Sequence, residues 1–180
     1  WSRLLVSSPR ALGRGYGWKD TIAHEYIHLV VAWRTSDRTP VWLQEGLAKH
    51  LEQRWRGTAD SGLSPHQQSL LATAVRDDAF VPFEKFKHSM AYLDSGEEAA
   101  LAFSQVSTMV AYLEEQGGRA VFATVLDRIR DGEEPGLVVA EGAGHTDFED
   151  FRVGWLVWLR GQTLIAEKIA TLPVVLDGEG

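Results

Sequence analysis

Apolar positions recur along most of this chain three and four residues apart, the spacing of one helix face, and Gly, Pro and Ser divide them into separate segments. The exception comes first: Arg3 to Ser8 (R-L-L-V-S-S) is a short β-type run closed by Pro9, and it predicts a strand. Arg10 to Trp18, with Gly13, Gly15 and Gly17 at alternating positions, reads as a loop. Capped by Asp20 or Thr21, the next segment carries Ile22, Ala23, Tyr26, Ile27, Val30 and Val31, a stripe broad enough to predict a mostly buried helix. The polar stretch Arg34 to Pro40 marks a turn. A second helix is expected from Val41 to Trp55, with Leu47, Leu51 and Trp55 on its core face.

Ser64 followed by Pro65 is a cap and first-turn proline that opens a third helix toward Val75. Phe80 to Leu93 is broken by Pro82, with a short helix expected around Glu84 to His88. Glu97 to Gln116 is the longest helical pattern, with Phe103, Val106, Val110 and Leu113 on one stripe and Gly117 as its stop. Further helices follow over Val121 to Arg130 and Pro135 to Glu141. A last one, capped by Thr146 or Asp147, runs through Phe151, Trp155 and Trp158. Leu172 to Gly180 is an apolar patch followed by an acidic, glycine-rich end. The pattern predicts one predominantly α domain over residues 1–160 with a small N-terminal β element, and a C-terminal tail over 161–180. No internal repeat is present.

Composition narrows the function. A chain of 180 residues that is 44% hydrophobic is long enough for one domain with a real core. A net charge of -7 leaves no basic face for nucleic acid or an anionic membrane. No apolar run approaches the roughly 20 residues that span a bilayer. With no cysteine, any metal must take His, Asp or Glu ligands. The chain starts at Trp1, without an initiator Met or signal peptide, and reads as a piece of a longer precursor. Its location is left open; an extracytoplasmic or cell-envelope one is compatible.

The chemistry is concentrated in His24 to His28, H-E-Y-I-H. Two imidazoles four residues apart on a helix are offset by only about 40° around the axis, so both can face one metal ion. Glu25 projects beside that face, where a carboxylate can take a proton from a metal-activated water. A catalytic zinc site needs three protein ligands and an open position. Glu45, in the run P-V-W-L-Q-E-G-L-A from Pro40 to Ala48, follows a turn that lets its helix fold back on the first, and its carboxylate is placed to be the third.

H-E-x-x-H followed by W-L-x-E-G-L-A resembles the gluzincin metallopeptidases, in particular the bacterial peptidase MA-like domains. Ala102 to Gly118 and the Trp-rich helix near Trp155 are similar to their later helices, so the resemblance covers most of Tyr16 to Trp158. It implies a zincin-like, thermolysin-like fold, and a peptidase with one zinc ion on His24, His28 and Glu45, Glu25 as base, and a peptide or protein substrate. It also implies an edge strand for substrate over Gly13 to Trp18, with Gly15 and Tyr16 as the contacts.

Two positions depart from the pattern. Where related aminopeptidases carry an oxyanion-binding Tyr, this chain has Phe103, which cannot donate; Ser104, Ser107, Tyr92 and His145 are the candidate replacements. Where thermolysin-like sites carry an Asp that orients a ligand His, this chain has Lys49, and Glu52 or Asp20 is the candidate acceptor. The Phe103 departure keeps a second reading open, a non-catalytic zinc-stabilised domain that binds peptide. His50, His66 and His88 fall outside any ligand spacing and read as surface residues, and Trp33, Trp42, Trp55, Trp155 and Trp158 as core.

Overall fold

The computed structural model describes residues 17–57, 62–90 and 93–165, and every regular element among them is helical. The expected strand over Arg3 to Ser8, and Gly15, Tyr16 and Tyr92, lie outside the described residues. The helices are α1 (Trp18–Thr35), α2 (Val41–Leu51), α3 (Pro65–Asp77), α4 (Phe83–Phe86), α5 (Gly96–Gly117), α6 (Val121–Arg130), α7 (Pro135–Gly142) and α8 (Phe148–Arg160). Among the described residues, no helix is long and apolar enough to cross a membrane.

Helix α5 is the central element: its buried residues, Ser104, Gln105, Ser107 and Thr108 together with an apolar stripe, spread around its circumference. Ala102, Val106, Met109, Val110 and Leu113 are all at most 1% exposed. Around it pack α2, α3, α6, α7 and α8, while α1 lies outside, against α2 and α6. Local chemistry sets the helix starts. Ser64 and Gln67 form a reciprocal capping box at α3, and Ser95 and Asp147 accept the backbone N–H of Glu98 and Asp150 at α5 and α8.

The turn between α1 and α2 decides the geometry of the site. Ser36 and Asp37 adopt left-handed conformations, with φ of 54° and 60°, which end α1 and reverse the chain. Buried hydroxyls tie the reversal down: Thr35 donates to the Val31 carbonyl at 2.8 Å, Thr39 donates to Thr35 Oγ1 at 2.9 Å, and Gln44 Nε2 donates to the Thr39 carbonyl at 2.9 Å. Behind Glu45, Gly46 brings α2 directly onto α5. A Cβ there would lie 2.8 Å from the Val106 carbonyl oxygen and 2.8 Å from Val110 Cγ2.

Several expectations are corrected. Helix α1 is not mostly buried: Val31 and Thr35 are its buried residues, whereas Trp18, Ile22, Tyr26 and Val30 are 39–59% exposed and Trp33 is 85% exposed. The reason is that α1 packs through one face only. Its exposed stripe lies on the side opposite His24 and His28, as the 100° step per residue requires. Neither Asp20 nor Thr21 caps α1, which starts one turn earlier after Gly17. The Asp20 carboxylate instead accepts from Trp55 Nε1 at 2.9 Å and from the Arg56 guanidinium. That pairing explains Trp55 as well. Helix α2 ends at Leu51, a 3₁₀ turn over Arg54–Arg56 follows, and Trp55 sits 51% exposed between Lys19 and Arg56 rather than in the core. Trp42 and Trp155 are buried as expected, at 4% and 2%.

Candidate metal centre

His24 and His28 leave α1 one turn apart and meet Glu45, which α2 brings back across the turn. The His24 Nε2 to His28 Nε2 separation is 3.1 Å, and Glu45 Oε2 lies 3.4 Å from His24 Nε2 and 3.5 Å from His28 Nε2. One ligand atom from each residue can be chosen so that all lie within 4.8 Å of one another, a group able to hold a metal ion. The three side chains are about one-fifth exposed and open into a cavity of about 400 Å³, lined also by Glu25, Val41 and Gln44. The site thus has donors on one side and an open mouth on the other.

An orienting contact fixes His24. Its Nδ1 is 2.9 Å from Glu52 Oε2, and Glu52 is only 7% exposed. With Nδ1–H donating to that carboxylate, Nε2 is turned toward the cavity and Glu45. Of the two acceptors weighed from sequence, the geometry selects Glu52, since Asp20 is held by Trp55 and Arg56. Lys49, standing where an Asp was expected, donates to the other oxygen of Glu52, so that carboxylate is held from both sides.

The electrostatics favour a cation at this point. Burial alone would push the His24 pKa down, but hydrogen bonds to Glu45 and Glu52 outweigh it and raise the value to about 9. Glu45 is the mirror image: burial pushes its carboxyl up, and hydrogen bonds from His24 and His28 hold it down at about 2.

Of the candidate oxyanion donors, Ser104, Ser107 and His145 are not brought to the cavity. Ser104 is fully buried and its hydroxyl donates to the Ala100 carbonyl at 2.7 Å. Ser107 is buried and borders a different cavity, beside His50 and Trp158. His145 accepts from the Tyr112 hydroxyl through Nε2 at 2.8 Å and donates through Nδ1 to Asp150 at 3.1 Å, which ties it between α5 and α8. Ser104 and His145 are thus taken by closer partners, and Ser107 faces a cavity other than the one beside His24, His28 and Glu45. His66 and His88 are exposed, as expected. His50 is not a surface residue: its side chain is 12% exposed and bonds Glu114 at 2.8 Å, with burial pushing its pKa down. Sequence reasoning passed over Val41 and Gln44. The signal was available, because both lie within one turn of Glu45 on the side that faces α1.

No curated protein and no solved structure matches this chain. A comparison with protein families does match, to the Peptidase MA superfamily, and it extends over residues 12–161, from before α1 through the end of α8. With the helices that carry His24, His28 and Glu45 and the bundle behind them inside that match, the chain belongs to the Peptidase MA superfamily.

Proposed function

We propose that this protein is a zinc-dependent peptidase of the gluzincin type. His24, His28 and Glu45 hold one zinc ion, and Glu25 is the general base. The observation that carries the reading is the triangle of donor atoms. Zinc held tetrahedrally by nitrogen and oxygen at about 2.0–2.2 Å requires ligand atoms about 3.3 Å apart. The separations here are 3.1, 3.4 and 3.5 Å. Two neutral imidazoles and a carboxylate are also the donor set of catalytic zinc sites, in which a fourth position stays open.

When bound, zinc lowers the pKa of water toward neutrality and polarises a substrate carbonyl. Glu25, lining the same cavity, takes the proton from the attacking water and returns it to the leaving amine. Glu52 keeps His24 in the tautomer and orientation that bind metal. Gln44 fills the role that Phe103 cannot. One amide hydrogen is anchored on the Thr39 carbonyl at 2.9 Å, and the second is available at the cavity wall for the developing oxyanion.

Phe103 also sustains the second reading, in which the same ligands stabilise a domain that binds peptide without cutting it. Zinc content and cleavage of a peptide library by wild type and Glu25→Gln decide between them. About one equivalent of zinc in both proteins, with a loss of cleavage of about 10²- to 10⁴-fold in the variant, supports the peptidase. Equal background turnover in both supports the binding domain. Protein purified without chelator that carries no zinc defeats both readings.

A further inference from the structure

Helix α2 closes on an acidic side chain that its surroundings disfavour. Glu52 caps the C-terminal end, directly after Leu51, where unpaired carbonyls and the helix dipole repel negative charge. It is also only 7% exposed, and a carboxylate withdrawn from water needs donors to offset the lost hydration. A conformation pointing out past the end of the helix would relieve both costs. Two donors hold the carboxylate in place instead: His24 Nδ1 lies 2.9 Å from Oε2, and the Lys49 ammonium donates to Oε1.

The two donors are not equivalent. His24 is the side chain to be oriented and turns about its own χ angles, so it cannot fix the group that orients it. Lys49 is the independent anchor. It stands in the last turn of α2, where the dipole that disfavours Glu52 favours a cation. With side-chain exposures of 18% and 9%, the Lys49 and Glu52 pair is also withdrawn from the solvent that weakens surface ion pairs. Among the described residues Lys49 bonds none of His24, His28 and Glu45, so whatever it does for the metal centre passes through Glu52.

We propose that Lys49 is a positioning residue of the metal centre: it clamps the Glu52 carboxylate in the conformation that accepts His24 Nδ1–H, and so turns His24 Nε2 toward the metal. The basic residue that stands where an acidic one was expected thus serves the same end from one step further out. The proposal rests on the zinc reading for its effect on metal binding, but not for the hold on His24.

Counting rotamers sets the size of the effect. Without its anchor, Glu52 spreads over about three to ten of the staggered χ1 and χ2 combinations open at a helix end, and the orienting one is then populated about a third to a tenth of the time. Apparent zinc affinity falls by that fraction. Lys49→Met, which keeps the apolar stem, should therefore weaken zinc about three- to tenfold, with Lys49→Ala as a second deletion of the charge. Lys49→Arg, which restores a donor, should bind within about twofold of wild type.

Competition with a chromogenic chelator at constant pH reads these constants, in a double-mutant cycle with Glu52→Ala. Once Glu52 is gone, Lys49→Met should change zinc affinity less than about twofold. A second readout needs no metal. In zinc-free protein labelled with ¹⁵N-histidine, the His24 Nδ1 proton should give a resolved downfield resonance in wild type and Lys49→Arg, and should exchange too fast to be seen in Lys49→Met. Wild-type affinity in Lys49→Met, tighter binding through relief of repulsion between ammonium and metal, or an equal loss with and without Glu52 overturns the proposal. Protein that binds no zinc defeats the zinc reading, and there the ring proton alone decides: its persistence in Lys49→Met overturns the hold on His24, and its loss sustains it.

Discussion

Glu52 offers the sharpest test of how the metal centre is built, because it lies outside the donor triangle and reaches it only through His24. Its carboxylate is 7% exposed and receives both His24 Nδ1–H, at 2.9 Å, and the Lys49 ammonium. A hydrogen bond to a charged group contributes about 1.5–3 kcal/mol and a neutral one about 0.5–1.5. Glu52→Gln keeps the shape and the acceptor but loses the charge, so zinc binding should weaken by about 1.4 kcal/mol, or tenfold. Glu52→Ala leaves His24 free to turn and the Lys49 ammonium without this partner, and the loss should reach ten- to hundredfold, the range found for groups that orient metal ligands. Competition with a chromogenic chelator, in zinc-buffered solution at constant pH, measures the dissociation constant directly. Asp20→Asn is the control. It disturbs the Trp55 and Arg56 contacts at the start of α1 and should change zinc affinity less than twofold. If both Glu52 variants bind zinc within about twofold of wild type, Glu52 is merely the ion partner of Lys49, and the account of His24 orientation is wrong.

Further outcomes follow from the same geometry. Removing zinc with a chelator should lower the melting temperature by about 5–10 °C, since saturation at a hundred times the dissociation constant stabilises by about 2.7 kcal/mol and a domain of this size shifts about 2–4 °C per kcal/mol. His28→Ala should abolish that chelator effect, and a wild-type melt that ignores chelator contradicts the metal assignment. Gly46→Ala places a Cβ 2.8 Å from the Val106 carbonyl oxygen and 2.8 Å from Val110 Cγ2, so it should cost about 1–3 kcal/mol in chemical denaturation; an unchanged midpoint would mean α2 and α5 separate easily. Gln44→Leu should reduce kcat about 10²- to 10³-fold with zinc content unchanged, and equal kcat would remove Gln44 from the oxyanion role. Glu114 is pushed up by burial, but hydrogen bonds from Arg54 and His50 hold its carboxyl below the usual range. A depressed carboxyl stabilises the fold above its unfolded pKa of about 4.3, and that contribution is lost as pH falls through the lower folded value. The difference in urea midpoint between wild type and Glu114→Gln should therefore shrink on going from about pH 7 to about pH 3.5, and a gap that widens in acid refutes the pairing.

What could be read from sequence divides along a physical line. Much that is set by spacing within one segment was legible: the order of the helices, the caps at Ser64 and Asp147, the shared face of His24 and His28, and the position of Glu45 on the next helix, though not the start of α1 or the end of α2. Helical geometry fixes those relations within a few residues, whatever the chain does elsewhere. The choice among distant partners was not legible. His24 meets Glu52 across 28 residues, His50 meets Glu114 across 64, and Tyr112 captures His145 across 33. Each contact forms only after the Ser36–Asp37 reversal and the close approach at Gly46 have packed α1, α2 and α5 together. The same packing sent Ser104 and His145 to other partners, buried Ser107 beside another cavity, and left Trp33 and Trp55 exposed, although their helical spacing suited a core. It also assembled a second cavity from α2, α4, α7 and α8, four helices with no common motif. Sequence by itself determined which side chains a metal could use, because donors on one helix turn are neighbours by covalent geometry. Tertiary structure decided which groups support them, because burial and hydrogen bonding are settled by whichever helix arrives alongside.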